Sequence, residues 1–259
     1  MEMFEPTLLL VLALVAFIAG FIDAVAGGGG MLTVPTLLSM GLPPHLALGT
    51  NKLAATFASS TAAFTYYRKK LFDPRCWYRA FISTLIGATL GTLFVDAIST
   101  DWLEKILPLI ILAAAIYTIF HKTPHNAANV LPPQCAKFHK KQYAQGLSIG
   151  FYDGLAGPGT GAFWTVSSMA LYKLNILLAS GLSKAMNFTS NFTSLVTFAL
   201  LGHINWMLGL TMGVCLMAGA FVGAHSAIRF GAKFIRPVFI TVVSILAIKL
   251  AYEAWIVNL

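Results

Sequence analysis

The chain has 259 residues, 58% of them hydrophobic and only 10% charged, and its mean hydropathy of +0.77 excludes an ordinary soluble domain, whose surface needs far more charge. The net charge of +8 is gathered in short connections between apolar spans, where it orients a membrane protein, so a nucleic-acid partner is excluded. The three cysteines, Cys76, Cys135 and Cys215, fall in no CxxC or metal-ligand spacing, and neither a metal, a redox centre nor any other cofactor is expected.

Taken in chain order, the N-terminus carries Glu2 and Glu5 and no Lys or Arg before its apolar run, so it lacks the basic start of a secretory signal and is expected to be retained. Residues 7–41 form an apolar stretch split by the glycine run at 27–30. The ten or so residues after Gly30 make only about 15 Å of helix, half the hydrocarbon thickness, and Pro43-Pro44 end it. Long helices are predicted near 46–67, 80–98 and 104–121. A basic linker at 122–141 follows, and then a second split stretch at 142–175. The last helices are predicted near 177–200, 205–228 and 236–256.

The second half repeats the first. Residues 20–30 read GFIDAVAGGGG and residues 150–161 read GFYDGLAGPGTG, so Asp23 matches Asp153, Gly27 matches Gly157 and Gly29 matches Gly159. Further on, Lys52 matches Lys184, Ser59 matches Asn191, and Gly87 and Gly91 match Gly219 and Gly223. The last four are spaced to let helices approach closely. Arg68, Lys69, Lys70, Arg75 and Arg79 fill one connection, Lys122, Lys137, Lys140 and Lys141 a second, and Arg229, Lys233 and Arg236 a third; these are predicted to be cytoplasmic. Helix 46–67 then runs inward and its counterpart 177–200 outward. The fold predicted is an all-α polytopic membrane protein of two inverted-topology repeats, 1–121 and 142–259, each a glycine-broken helical hairpin plus three transmembrane helices, with both termini outside.

Two helix breaks in corresponding positions point to a transporter site, because irregular backbone at membrane depth is tolerated only against protein or a water-filled cavity. Gly27, Gly28, Gly29 and Gly30, with Gly157, Gly159, Thr160 and Gly161, are the candidate substrate cradle, since a helix start offers N–H groups to an anion, with tight turning and helix contact alone as the alternative. Lys52 and Lys184 are candidates to attract it, with snorkelling to the interface as the alternative, and replacing either by Met is expected to impair transport more than folding. Asn51, Asn187 and Asn191, with Ser59 and Ser60, either donate to substrate or bond between helices. Asp23 and Asp153 either carry a proton or cap the freed N–H groups. His45, His203 and His225 are assigned no chemistry.

AGFIDAVAGGGGMLTVP with LGTNKL in the first half, and GFYDGLAGPGTGAFW with the Lys184 helix in the second, resemble the TauE/SafE family of membrane transporters, in particular its YfcA-like members, along nearly the whole chain. The resemblance implies a permease of the bacterial inner membrane for sulfite, sulfonates and related small anions. The reading is therefore a multi-pass secondary transporter, not an enzyme, that exports a small anion across the lipid bilayer by alternating access and leaves homo-oligomerisation open. The alternatives are an anion channel, and a membrane-embedded enzyme or assembly factor.

Overall fold

The computed structural model describes residues 6–107, 109, 135–231, 234, 237 and 241. Every element among them is a helix: α1 (Pro6–Ala26), α2 (Gly30–Ser39), α3 (Pro44–Arg68), α4 (Pro74–Asp96), α5 (Ala136–Leu155), α6 (Thr160–Tyr172), α7 (Ile176–Leu200) and α8 (Trp206–Phe230), with a further helical stretch at 100–107. The starts follow ordinary helix chemistry. Proline opens α3 and α4, where its missing N–H costs nothing, and Asn175 and Asn205 cap α7 and α8 by accepting from the N–H groups of Leu178 at 2.8 Å and Leu208 at 3.1 Å. The spans predicted at 104–121 and 236–256 and the linker at 122–134 lie outside the described residues, apart from the few positions named above.

The expected boundaries hold to within a few residues for α3, α7 and α8, but α4 begins six residues before its expected start at 80, and α5 six residues before the split stretch was expected to start. Lys137 and Lys140 point outward from its first turns, so a basic composition that reads as linker is a solvated helix end. Lys141 donates to the Leu171 carbonyl at 2.7 Å, closing the end of α6.

Small residues decide which helices pair. Gly87 of α4 packs on the Leu147 carbonyl of α5 and Gly91 on that of Phe151, while Gly154 reaches back to Ala88. The two helices therefore run parallel in close backbone contact. Likewise Gly219 of α8 packs on the Phe17 carbonyl of α1 and Gly223 on that of Phe21, again in parallel. Each of these pairs joins a helix from the first half of the chain to one from the second. At the centre α3 and α7 run antiparallel, with Gly49 against His203 at one end and Gly181 against Leu71 at the other.

By length and apolarity only α4 and α8 among the described helices are clear candidates to cross a bilayer. Their outward faces are continuous apolar strips, Ile82, Ile86, Leu90 and Phe94 on α4 and Leu210, Val214, Met217 and Phe221 on α8, as lipid contact requires. The central α3 and α7 are more polar because their interior face carries Asn51, Lys52 and Ser59, and Lys184, Asn187, Ser190 and Asn191, all buried. Hydropathy undercounts helices of this kind. The polar residues that spoil their apolar score are inside the protein, where they build the site.

Candidate functional site

Both helix breaks are turned by glycine. Gly27 has φ +81°, Gly157 +93° and Gly159 +81°, a left-handed region that an L side chain enters at a cost of about 1–2 kcal/mol. Gly29 differs from its counterpart Gly159: its φ is −56°, already helical, and its glycine character serves packing, since a Cβ there would lie 2.7 Å from the Asp23 Cβ and 2.8 Å from the Ala19 carbonyl oxygen. Loss of affinity without loss of stability is therefore not the expectation for Gly29→Ala. The two breaks meet. Gly27 lies directly on Gly161, where an added Cβ would sit 2.5 Å from the Gly27 Cα, and Gly30 faces Pro158. The first turns of α2 and α6 thus start side by side.

The lysines cross between the halves. Lys52 lies eight residues in from Pro44, and Lys184 eight in from Ile176, which places each about 12 Å along its helix. Each is only 1% exposed, so neither snorkels. Lys52 donates to the Asp153 carboxylate at 2.6 Å and to the Asp153 carbonyl at 2.5 Å; Lys184 donates to the Asp23 carbonyl. Asp153 also accepts from the Ser190 hydroxyl, and Asp23 from the Gly29 N–H at 3.2 Å. Asp23 thus caps the freed backbone of its break, while Asp153 neutralises a lysine. Equivalent positions have taken unequal roles.

A small cavity opens at the meeting point. It is lined by Asp23, Gly27, Gly29, Gly30, Asn51 and Thr33 from the first half and by Asp153, Gly157, Gly159, Gly161, Asn187 and Asn191 from the second, with Ala55, Ala58 and Leu216 as its apolar wall. Its room of about 20 Å³ is that of roughly one water. A sulfonate-sized anion enters only if these walls part. Four of the expected residues are elsewhere: Gly28 is buried but does not line the cavity, Thr160 donates to the Gly157 carbonyl at 2.6 Å, and the ammonium groups of Lys52 and Lys184 are spent on the two aspartates. Ser59 and Ser60 donate to carbonyls of their own helix.

Thr33, Ser190 and Leu216 were not singled out by the sequence. Thr33 donates to the Asn51 carboxamide oxygen at 2.5 Å and lies four residues after Gly29, on the same helix face; Ser190 lies three residues after Asn187. Helical spacing from the named residues is the signal that finds them. Nor does spacing reveal the grouping of His45, His203 and Asp96 where α3 starts and α4 ends. The imidazoles stand 5.4 Å apart and the His203 Nε2 lies 2.7 Å from the Asp96 carboxylate, across 107 residues of chain. No cluster able to hold a metal ion occurs among the described residues.

The profile described as sulfite exporter TauE/SafE matches residues 12–250, which takes in both breaks and both lysines. The chain belongs to the TauE/SafE family. Among TauE/SafE relatives, it is 37% identical over 250 residues to a probable membrane transporter protein of Haemophilus influenzae, covering 95% of each chain. It is 39% identical to the probable membrane transporter protein ORF9 of a Sinorhizobium species, over 94% of this chain and 92% of that one. It is 34% identical to the probable membrane transporter protein YfcA of Escherichia coli K12, over 97% of this chain and 93% of that one. No solved structure matches this TauE/SafE chain. Family and relatives make it a bacterial membrane transporter, not an enzyme.

Proposed function

We propose that this chain is a secondary transporter of small organosulfur anions, sulfonates or sulfite, that exports them across the bacterial inner membrane by alternating access between two inverted repeats. The observation that carries the reading is the convergence of two glycine-broken helix starts, one from each half, on a single polar cavity whose two aspartates are each held by a fully buried lysine. A helix start and a lysine each favour negative charge, and burial strengthens both. The antiparallel crossing of α3 and α7, whose sequences correspond, supports inversion. The cavity's small size supports a carrier that must open around its substrate.

Binding to the folded state raises stability with the logarithm of occupancy, by about 2.7 kcal/mol at a hundred times Kd. Purified protein heated with sulfonates, sulfite, thiosulfate and carboxylates should melt later with the sulfur oxyanions. Equal melting with all of them removes the anion site. Saturating flux would separate a carrier from a channel.

Orientation has its own test in the native chain. Cys135 is exposed at the start of α5 beside Lys137 and Lys140, whereas Cys76 is buried. The charge rule puts Cys135 in the cytoplasm. A membrane-impermeant maleimide should label it in inverted vesicles and leave it untouched in intact spheroplasts; the opposite pattern reverses the topology.

A further inference from the structure

The site holds two lysines and two aspartates, so its formal charge is zero, but the two carboxylates are used unequally. Asp153 is 2% exposed and both its oxygens are engaged, one by the Lys52 ammonium and the other by the Ser190 hydroxyl. Asp23 lines the cavity, and its carboxylate receives one backbone N–H, from Gly29 at 3.2 Å. Lys184, the cation nearest to it, holds the Asp23 carbonyl instead of its carboxylate. The charged groups near Asp23 are Lys184 of α7, which packs against α1 and holds the Asp23 carbonyl, and Asp153 of α5, which lines the same cavity. Lys52 of α3 is already committed to Asp153, and α8 offers only the apolar Leu216 there.

A monoanion entering this neutral site would make it negative, in a setting where water screens little and Asp23 faces the newcomer. Protonating Asp153 is a poor remedy, because it leaves the Lys52 ammonium buried without its partner. Protonating Asp23 breaks no ion pair, because Lys184 holds its carbonyl: the carboxyl becomes neutral, the entering anion supplies the counter-charge of Lys184, and the loaded site returns to zero charge.

We infer that Asp23 is the proton-binding residue of the transport cycle and that one proton crosses with each monoanionic substrate; this rests on the anion site proposed above. The Asp23 carboxylate takes its proton from water on one side and returns it to water on the other, and nothing is oxidised or reduced. The loaded step is electroneutral. Export then proceeds whenever the inside-to-outside ratio of substrate exceeds the outside-to-inside ratio of protons.

Methanesulfonate and isethionate suit the test, since both are anions of strong acids and carry no proton of their own. In liposomes enclosing a pH-sensitive dye, the wild-type protein should move one proton per anion and ignore a potassium–valinomycin potential. Asp23→Asn keeps an oxygen that accepts from Gly29, yet it should move anion without proton and respond to voltage, about 50-fold in final distribution per 100 mV. A cap role alone leaves that variant coupled, and overturns the inference. So does proton-free, voltage-driven flux in the wild type, which leaves the anion site standing, or uncoupling by Asp153→Asn alone. If neither sulfonate moves, the substrate reading falls and takes this inference with it. Should Asp23→Asn fail to fold, a carbodiimide, which adds to protonated carboxyl groups, replaces it in the wild-type protein. Mass spectrometry should find the adduct on Asp23, with less of it as the pH is raised, and no adduct there, or one on Asp153 alone, overturns the assignment.

Discussion

Replacing Lys52 by Met should unfold much of the protein, whereas the same change at Lys184 should leave it folded and inactive. The sequence puts the two lysines on an equal footing, and the structure separates them. Removing Lys52 strands the Asp153 carboxylate at 2% exposure, and breaking a buried pair from one side costs about 3–5 kcal/mol. Removing Lys184 leaves the Asp23 carbonyl without its donor, a loss of about 1–3 kcal/mol, and takes the nearby cation from a carboxylate that faces the cavity and keeps its Gly29 N–H. The remedy discriminates further. Adding Asp153→Asn to Lys52→Met removes the orphaned charge and should recover most of the lost stability without restoring transport. Unfolding in detergent, followed for the parent, the two single variants and the double variant as a cycle, checks this directly. A Lys52→Met protein as stable as its parent would falsify the pairing.

The second large effect is expected at Gly27→Ala. The residue combines φ +81° with direct backbone contact to Gly161, so a methyl group adds about 1–2 kcal/mol of backbone strain and about 1–3 kcal/mol of overpacking. The two breaks would have to separate. Expression of folded protein should drop sharply and transport should vanish with it. Gly28→Ala is the control one residue away: no positive φ, and nothing nearer to the added Cβ than the Ile22 Cγ2 at 3.9 Å. Its stability should stay within about 0.5 kcal/mol of the parent. Comparable losses in both variants would mean that the glycine run is needed as a flexible stretch and not for the contact at Gly27.

What was legible in the sequence follows from periodicity and duplication. Apolar length located α3, α4, α7 and α8, and the repeated glycines located both breaks and, through their spacing, the matching lysines. Partnership was not legible. Nothing in a linear spacing says that Lys52 reaches Asp153, 101 residues away, or that Lys184 reaches Asp23, because these contacts depend on how helices from the two halves are interleaved. Burial was equally hidden: two turns into a helix is a depth from which a lysine either snorkels or turns inward, and the neighbours decide. The unequal roles of Gly29 and Gly159 were masked by the repeat itself, since identical letters at matching positions say nothing about φ.

The pairing of α1 with α8 sets an order of events during biosynthesis. Phe17 and Phe21 wait for Gly219 and Gly223, which leave the ribosome about two hundred residues later, some 10–40 s at about 5–20 residues per second. Through that interval the first helix has no permanent neighbour on the face carrying Gly20, and lipid or an insertion chaperone must stand in for α8. Completion of the chain, rather than emergence of its first half, is then the moment at which α1 acquires its final mate. A nascent protein halted before residue 206 should remain open to degradation along its very first segment.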